Sequence, residues 1–157
     1  MAQTHFPLFL PGDSITVLND SGTTAITAGD LVYSAANDDQ FTGTASTARS
    51  SYLAGDIKVK KIGTANTDYK TFIGIAANDI AVDSYGEVYL EGVFVSPVHA
   101  NTEAGNHIMA AATTANRVTA ILDQGTTLLL GSGHFTIGKA LTGGSATGKY
   151  IAWKLTY

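Results

Sequence analysis

The sequence predicts an all-β protein, a compact β-barrel or β-sandwich of about ten short strands with a weak internal two-fold repeat and an N-terminal arm. Three observations lead to this prediction. Apolar and polar residues alternate with period two along the 157 residues, whereas helical periodicity does not recur. The alternating segments are short, bounded by turn residues and rich in Val, Ile, Thr, Tyr and Phe. Finally, three blocks of sequence occur twice in the same order.

The predicted strands follow one another from residue 14 onward. The first, 14–18, ends at a cluster of turn residues, Asn19-Asp20-Ser21-Gly22. In the segment 56–60, Ile57 and Val59 share one face and two lysines share the other. The other predicted strands are 30–33, 71–76, 86–95, 117–122, 126–130, 134–141 and 149–155.

The repeated blocks predict two lobes within a single β domain. The first copy comprises 28–33, 72–76 and 86–91, and the second comprises 104–109, 136–140 and 148–155. Each copy has a Gly turn into a strand, an Ile-Gly-x-Ala strand, and a Gly turn into an alternating strand. We therefore expect an N-terminal arm at 1–11 and one β domain at 12–157, with lobes at about 12–97 and 98–157.

Two details of the repeat carry further expectations. The first lobe is longer because of residues 37–66, which look like an inserted loop. The glycines of the two Ile-Gly-x-Ala blocks, Gly74 and Gly138, are expected to mark a bulge or a close backbone approach.

Composition and charge exclude several classes of function. The formal net charge is -4, so the chain has no basic excess for a nucleic-acid backbone, and nucleic-acid binding is not expected. No apolar run approaches the ~20 residues of a membrane helix, so membrane insertion is not expected either. The absence of cysteine removes disulfides, thiolate metal sites and cysteine nucleophiles.

Two short motifs resemble catalytic or nucleotide-binding sequences and lack an essential part. The segment 133–139 matches most of a phosphate-binding loop, but Ala140 stands where a Ser or Thr would hold Mg²⁺. Gly12-Asp13-Ser14 matches the nucleophile block of GDS-type esterases, but Gly131 stands where an Asp would precede the last histidine. Both motifs are better explained as turns and strands.

The remaining polar clusters also point away from catalysis. The histidines, which are His5, His99, His107 and His134, are not spaced like metal ligands on a strand or helix. Lys58, Lys60 and Lys61 form the one basic cluster, which suits either an edge strand protected from unwanted pairing or contact with an acidic partner. We therefore expect a non-catalytic binding or structural module with no metal and no cofactor.

The repeat blocks also carry a family resemblance. Four of them resemble tailed-phage capsid decoration proteins, the small cement proteins long catalogued as a domain of unknown function. The matching blocks are 72–76, 86–93, 103–105 and 137–141. The resemblance covers about residues 12 to 157, and the chain departs from it in the loop 37–66 and in the apolar N-terminal arm.

The resemblance implies a virion protein on the outer surface of the capsid. Its partners would be the major capsid protein and itself, as a homotrimer at three-fold positions of an expanded head. A rigid β scaffold with multivalent attachment would stabilise the shell, since it binds only the assembled state.

Under this hypothesis, composition indicates six contact residues. The arm offers Phe6, Leu8, Phe9 and Leu10, and two loop tyrosines offer aromatic anchors, Tyr52 and Tyr69. The arm has an equally good alternative interpretation as a terminal strand that docks on the core.

A second hypothesis is a glycan- or receptor-binding β module of a phage fibre or tail. Such sites need an exposed aromatic platform. The single tryptophan, Trp153, shares its strand face with Ile151 and Leu155, so we expect it in the core rather than at a sugar site.

Overall fold

The computed structural model describes residues 6–7, 12–35, 57–63, 71–111, 116–121 and 136–156. The regular structure of these residues is formed by eleven strands. They are β1 (Phe6–Pro7), β2 (Ser14–Asn19), β3 (Leu31–Ser34), β4 (Lys58–Lys61), β5 (Phe72–Ala76), β6 (Tyr85–Tyr89), β7 (Gly92–Pro97), β8 (His107–Ala110), β9 (Val118–Ala120), β10 (Gly138–Ala140) and β11 (Tyr150–Leu155). Within this part of the chain no helix is long and apolar enough to cross a membrane. The all-β prediction is confirmed.

Strands β2 to β6 form a closed five-stranded barrel in the order β2-β4-β3-β5-β6. Its neighbours are antiparallel except for β2 and β4, which pair in parallel with Leu18 opposite Lys58. This parallel pair closes the barrel. We call β2–β6 the first barrel.

Strands β7 to β11, together with β1, form a six-stranded sheet in the order β1-β7-β11-β10-β8-β9. A parallel bridge joins Val98, directly after β7, to Val118 at the start of β9. This bridge repeats the parallel closure of β2 on β4, so the second sheet also curls back on itself. We call β7–β11 the second sheet.

The internal repeat is present in the strand order. Removing β1 leaves β7-β11-β10-β8-β9, which matches β2-β6-β5-β3-β4 strand for strand. Turn hydrogen bonds match as well: the N–H of Gly29 donates to the carbonyl of Ala76 at 2.7 Å, and that of Gly105 to Ala140 at 2.8 Å. The first structural copy ends with β6 and the second begins with β7. The second copy therefore begins a few residues before residue 98, where we expected the second lobe to begin.

Two apolar clusters stabilise the molecule, and one of them joins the two halves. The interior of the first barrel is filled mainly by small aliphatic side chains, namely Val17, Ile26, Val32, Val59, Ala76, Ile80 and Val88. The larger cluster combines Leu31 and Ile75 of the first barrel with Phe94 and Trp153 of the second sheet. Because this cluster draws on both halves, the apolar burial that drives folding is shared between them.

The glycines of the Ile-Gly-x-Ala blocks lie where two strands approach closely. A Cβ on Gly74 would overlap the carbonyl oxygen of Tyr89, and a Cβ on Gly138 would overlap that of Lys154. Any side chain at these positions would push β5 from β6, or β10 from β11. The expectation of a close backbone approach is therefore confirmed at both glycines.

Each half has a glycine packed against an isoleucine in its interior, and the two residue types are exchanged between the equivalent positions of the two halves. We call these residues the inverted pair. In the first barrel the side chain of Ile80 occupies the space next to Gly86, so that a Cβ on Gly86 would overlap it. In the second sheet the matching positions are Gly144 and Ile151, and a Cβ on Gly144 would lie 2.9 Å from Cγ2 of Ile151. The bulky residue and the glycine have exchanged places, which preserves the interior volume.

Candidate interaction surface

The outer face of the first barrel is buried where it meets the second sheet. Leu31 lies opposite Ile75 across β3 and β5, and Ile75 lies opposite Tyr89 across β5 and β6. These three side chains belong to the shared apolar cluster, and the Tyr89 ring lies 6.0 Å from that of Phe94. This row is therefore the surface by which the first barrel docks on the second sheet.

A buried polar network lies beside this contact. Asn116, between β8 and β9, donates from Nδ2 to Oδ1 of Asp30 at 2.7 Å and accepts the N–H of Leu31 at 2.9 Å. The other carboxylate oxygen of Asp30 pairs with Nζ of Lys61 at 2.8 Å and accepts the N–H of Thr27. Polar groups buried at this contact are thus paired across the two halves.

The matching face of the second sheet has the opposite character. There Lys139 lies opposite His107 across β10 and β8, and opposite Lys154 across β10 and β11. His107, Lys139 and Lys154 occupy the positions of the second sheet that are equivalent to Leu31, Ile75 and Tyr89 of the first barrel. The three side chains of the second sheet are exposed. We call His107, Lys139 and Lys154 the cationic row, after its two lysines.

Two exposed apolar side chains flank the cationic row. Leu141 lies directly after β10, two residues from Lys139, and is 48% exposed. Tyr150 lies four residues before Lys154 on β11 and is 54% exposed. An exposed leucine and an exposed tyrosine beside charged side chains fit a contact surface with an apolar centre and a polar rim.

No protein-family model and no curated protein matches this sequence. Among solved structures, the chain is similar to "head fiber gp8.5 N base in bacteriophage phi29", with 12% identity over 92% of this chain and 95% of that chain and a TM-score of 0.49.

Most of the contact residues expected from composition lie outside the described residues. These are Leu8, Phe9, Leu10, Tyr52 and Tyr69. The backbone of Phe6 is described, and it pairs antiparallel with Val95 on β7. The arm thus contributes at least two residues, Phe6 and Pro7, to the second sheet.

The basic cluster does not lie on an edge strand. The strand β4 that carries Lys58, Lys60 and Lys61 pairs with β2 on one side and β3 on the other, so the edge-protection interpretation is wrong. Two of the lysines form ion pairs within the first barrel, Lys58 with Asp20 at 3.7 Å and Lys61 with Asp30. The parallel pairing of β2 with β4 has no local sequence signal, which is why the edge prediction failed.

Both motifs that resembled reactive sites contribute described residues to strands. Gly138, Lys139 and Ala140 form β10, and Ser14 is the first residue of β2. Trp153 is fully buried and donates from Nε1 to Oγ of Ser96 at 2.6 Å, as its predicted place in the core requires. Among the described residues, no three His, Asp or Glu side chains are grouped closely enough to hold a metal ion.

Sequence reasoning missed the cationic row, although the repeat contains a signal for it. Aligning the Ile-Gly-x-Ala blocks places Lys139 against Ile75, a change from apolar to charged at one position of the same face. Such a change indicates that one copy of the face is covered within the chain and the other is not. The signal becomes readable only when the strand pairing is known.

Proposed function

We propose that this protein is a non-catalytic capsid decoration protein that binds the outer surface of a tailed-phage head and stabilises the shell. The single observation that carries the proposal is the order of the sequence blocks 72–76, 86–93, 103–105 and 137–141, which resembles that of the cement proteins. Its partners are then the major capsid protein and further copies of itself, as a homotrimer. Neither nucleic acid nor a membrane takes part.

The architecture supports this role because its two halves are packed against each other. Two five-stranded units share one apolar cluster, and a buried hydrogen-bond network crosses between them. A protein that clamps a lattice must hold its contact surfaces at fixed separations, since multivalent binding is lost when the geometry forbids simultaneous contact. No reactive group is needed for such binding.

The test is co-sedimentation with expanded, empty heads assembled from a matching major capsid protein. We expect saturable binding at a fixed stoichiometry and a higher thermal transition for decorated heads, because a ligand specific for the assembled state stabilises it. Heads that sediment without the protein at micromolar concentrations, and melt unchanged, would refute the proposal. Unexpanded heads provide the comparison, since an expanded-lattice site is absent from them.

Two exposed tyrosines favour glycan binding as a second candidate function. Tyr85 and Tyr150 begin the equivalent strands β6 and β11 and are 53% and 54% exposed. Exposed aromatic rings provide the stacking surface that sugars need. A glycan array separates the candidates: binding that disappears in Y85A/Y150A supports the glycan module, and a blank array removes it.

A further inference from the structure

The two lysines of the cationic row lie close to each other without a carboxylate partner among the ion pairs of the described residues. Lys139 and Lys154 lie directly opposite each other on neighbouring strands, and like charges in that arrangement destabilise a sheet. Within the described part of the chain, the ion pairs Lys58–Asp20 and Lys61–Asp30 involve neither of them. A facing carboxylate would turn this repulsion into attraction.

The same chain carries a complementary surface. Residues 12–91 contain eleven acidic and five basic side chains, a formal charge of -6, whereas residues 92–157 contain two acidic and four basic ones, a charge of +2. The first barrel exposes several of these carboxylates, among them Asp13, Asp79, Asp83, Glu87 and Glu91. One copy therefore offers the opposite charge to the row of another.

The face of the first barrel that is equivalent to the cationic row is a packing surface. In the first barrel the equivalent row, Leu31, Ile75 and Tyr89, packs on the neighbouring unit of the same chain. In the second sheet the row is uncovered by described residues, is flanked by the exposed Leu141, and is charged rather than apolar. Charged contact surfaces suit an interface that forms after folding, since the free subunit remains soluble.

We propose that the cationic row, with Leu141 beside it, docks on the acidic first barrel of a second copy of this chain. The contact is head to tail, because the two faces belong to different halves of the molecule. It deepens the proposed homotrimer by naming its contact surface. It can be tested on the purified protein without any phage head, so its failure and that of the decoration role are distinguishable.

The first experiment is sedimentation velocity of the full chain and of K139E/K154E. We expect the native protein to associate, more weakly as NaCl rises from about 0.05 to about 0.5 M, because salt screens the attraction between surfaces. The double variant should associate about tenfold more weakly or not at all, since each lysine is replaced by a charge that repels the acidic surface. The matched single variants are K139E and K149E, which change the net charge equally. K139E should weaken association, whereas K149E, at an exposed lysine outside both the row and the first barrel, should associate like the native protein.

Carbodiimide cross-linking of mixed ¹⁴N- and ¹⁵N-labelled copies identifies the docked surface directly. We expect mixed-isotope links from Lys139 or Lys154 to carboxylates within residues 12–91. A protein that stays monomeric at high concentration and low salt would overturn the inference. It would equally be overturned by native-like association of K139E/K154E, or by mixed-isotope links that avoid both lysines. Emission from the buried Trp153 checks that each variant is folded.

Discussion

Asn116 reaches from the second sheet to the first barrel, where its Nδ2 donates a 2.7 Å hydrogen bond to Oδ1 of Asp30. Both residues are buried, and the same amide accepts the N–H of Leu31. The amide of Asn116 satisfies a carboxylate and a backbone donor that the first barrel buries at the contact. The orientation of the two halves is thus specified by polar as well as apolar groups.

Removing this amide is expected to destabilise the whole molecule. Asn116 has a φ of 57°, so N116G removes the hydrogen bonds without adding backbone strain. We expect a loss of about 2–3 kcal/mol in the free energy of unfolding, because a buried carboxylate and a buried N–H lose a partner. Urea unfolding followed by Trp153 emission measures it. The exposed N101G is the matched control, and equal stability of the two variants would contradict the role assigned to Asn116.

Because Ile80 packs against Gly86, we expect substitutions at these two positions to have non-additive effects on the free energy of unfolding. A Cβ on Gly86 would overlap the Ile80 side chain, so G86A should cost about 1–3 kcal/mol by overpacking. I80A alone should also be costly, since it leaves a cavity in the first barrel. The double variant G86A/I80A should be more stable than the sum of the two losses predicts, because the added methyl group enters the vacated space. Additive losses in a denaturant series would show that the two positions are independent.

Gly74 and Gly138 should be among the least tolerant glycines of the chain. Their neighbours are backbone carbonyl oxygens, which cannot move without separating two strands. We expect G138A to cost about 3 kcal/mol or more, as a severe case of overpacking. The control is G22A: its φ of 71° costs about 1–2 kcal/mol, but a Cβ there meets no atom within 4 Å. A smaller loss for G138A than for G22A would contradict the close approach of the strands.

Deleting residues 1–11 separates the two interpretations of the arm. Among the described residues, the arm contributes Phe6 and Pro7 to the edge of β7, and this short pairing leads us to expect that the truncated protein folds. Its occupancy on expanded heads should fall, because the arm is one of the proposed contacts. Full occupancy would remove the arm from the capsid contact, and failure to fold would show that the arm is part of the core. Circular dichroism and co-sedimentation provide the two measurements.

Local sequence properties predicted the repeat and most of the described strands, but the single strand predicted at 86–95 is the two strands β6 and β7, which belong to different sheets. Alternation identifies which side of a strand faces inward, as in Ile57 and Val59 of the β4 region, because side-chain direction in a strand has a period of two. The same rule placed Trp153 in the core. The two Ile-Gly-x-Ala glycines were recognisable because only a missing Cβ explains a glycine inside an alternating strand.

The tertiary structure alone decided how these strands are paired and which faces are covered. Closure of the first barrel depends on the parallel pairing of β2 with β4, which forms between segments far apart in the chain. The same long-range pairing makes Lys58–Lys61 an internal strand and assigns β7 to the second sheet. It also sets Ile75 against a neighbouring unit while leaving Lys139 exposed. Alternation in the sequence indicates which side chains of a strand face the core and which face solvent. It does not indicate which strands pair, because strands pair through backbone N–H and C=O groups that nearly every residue has.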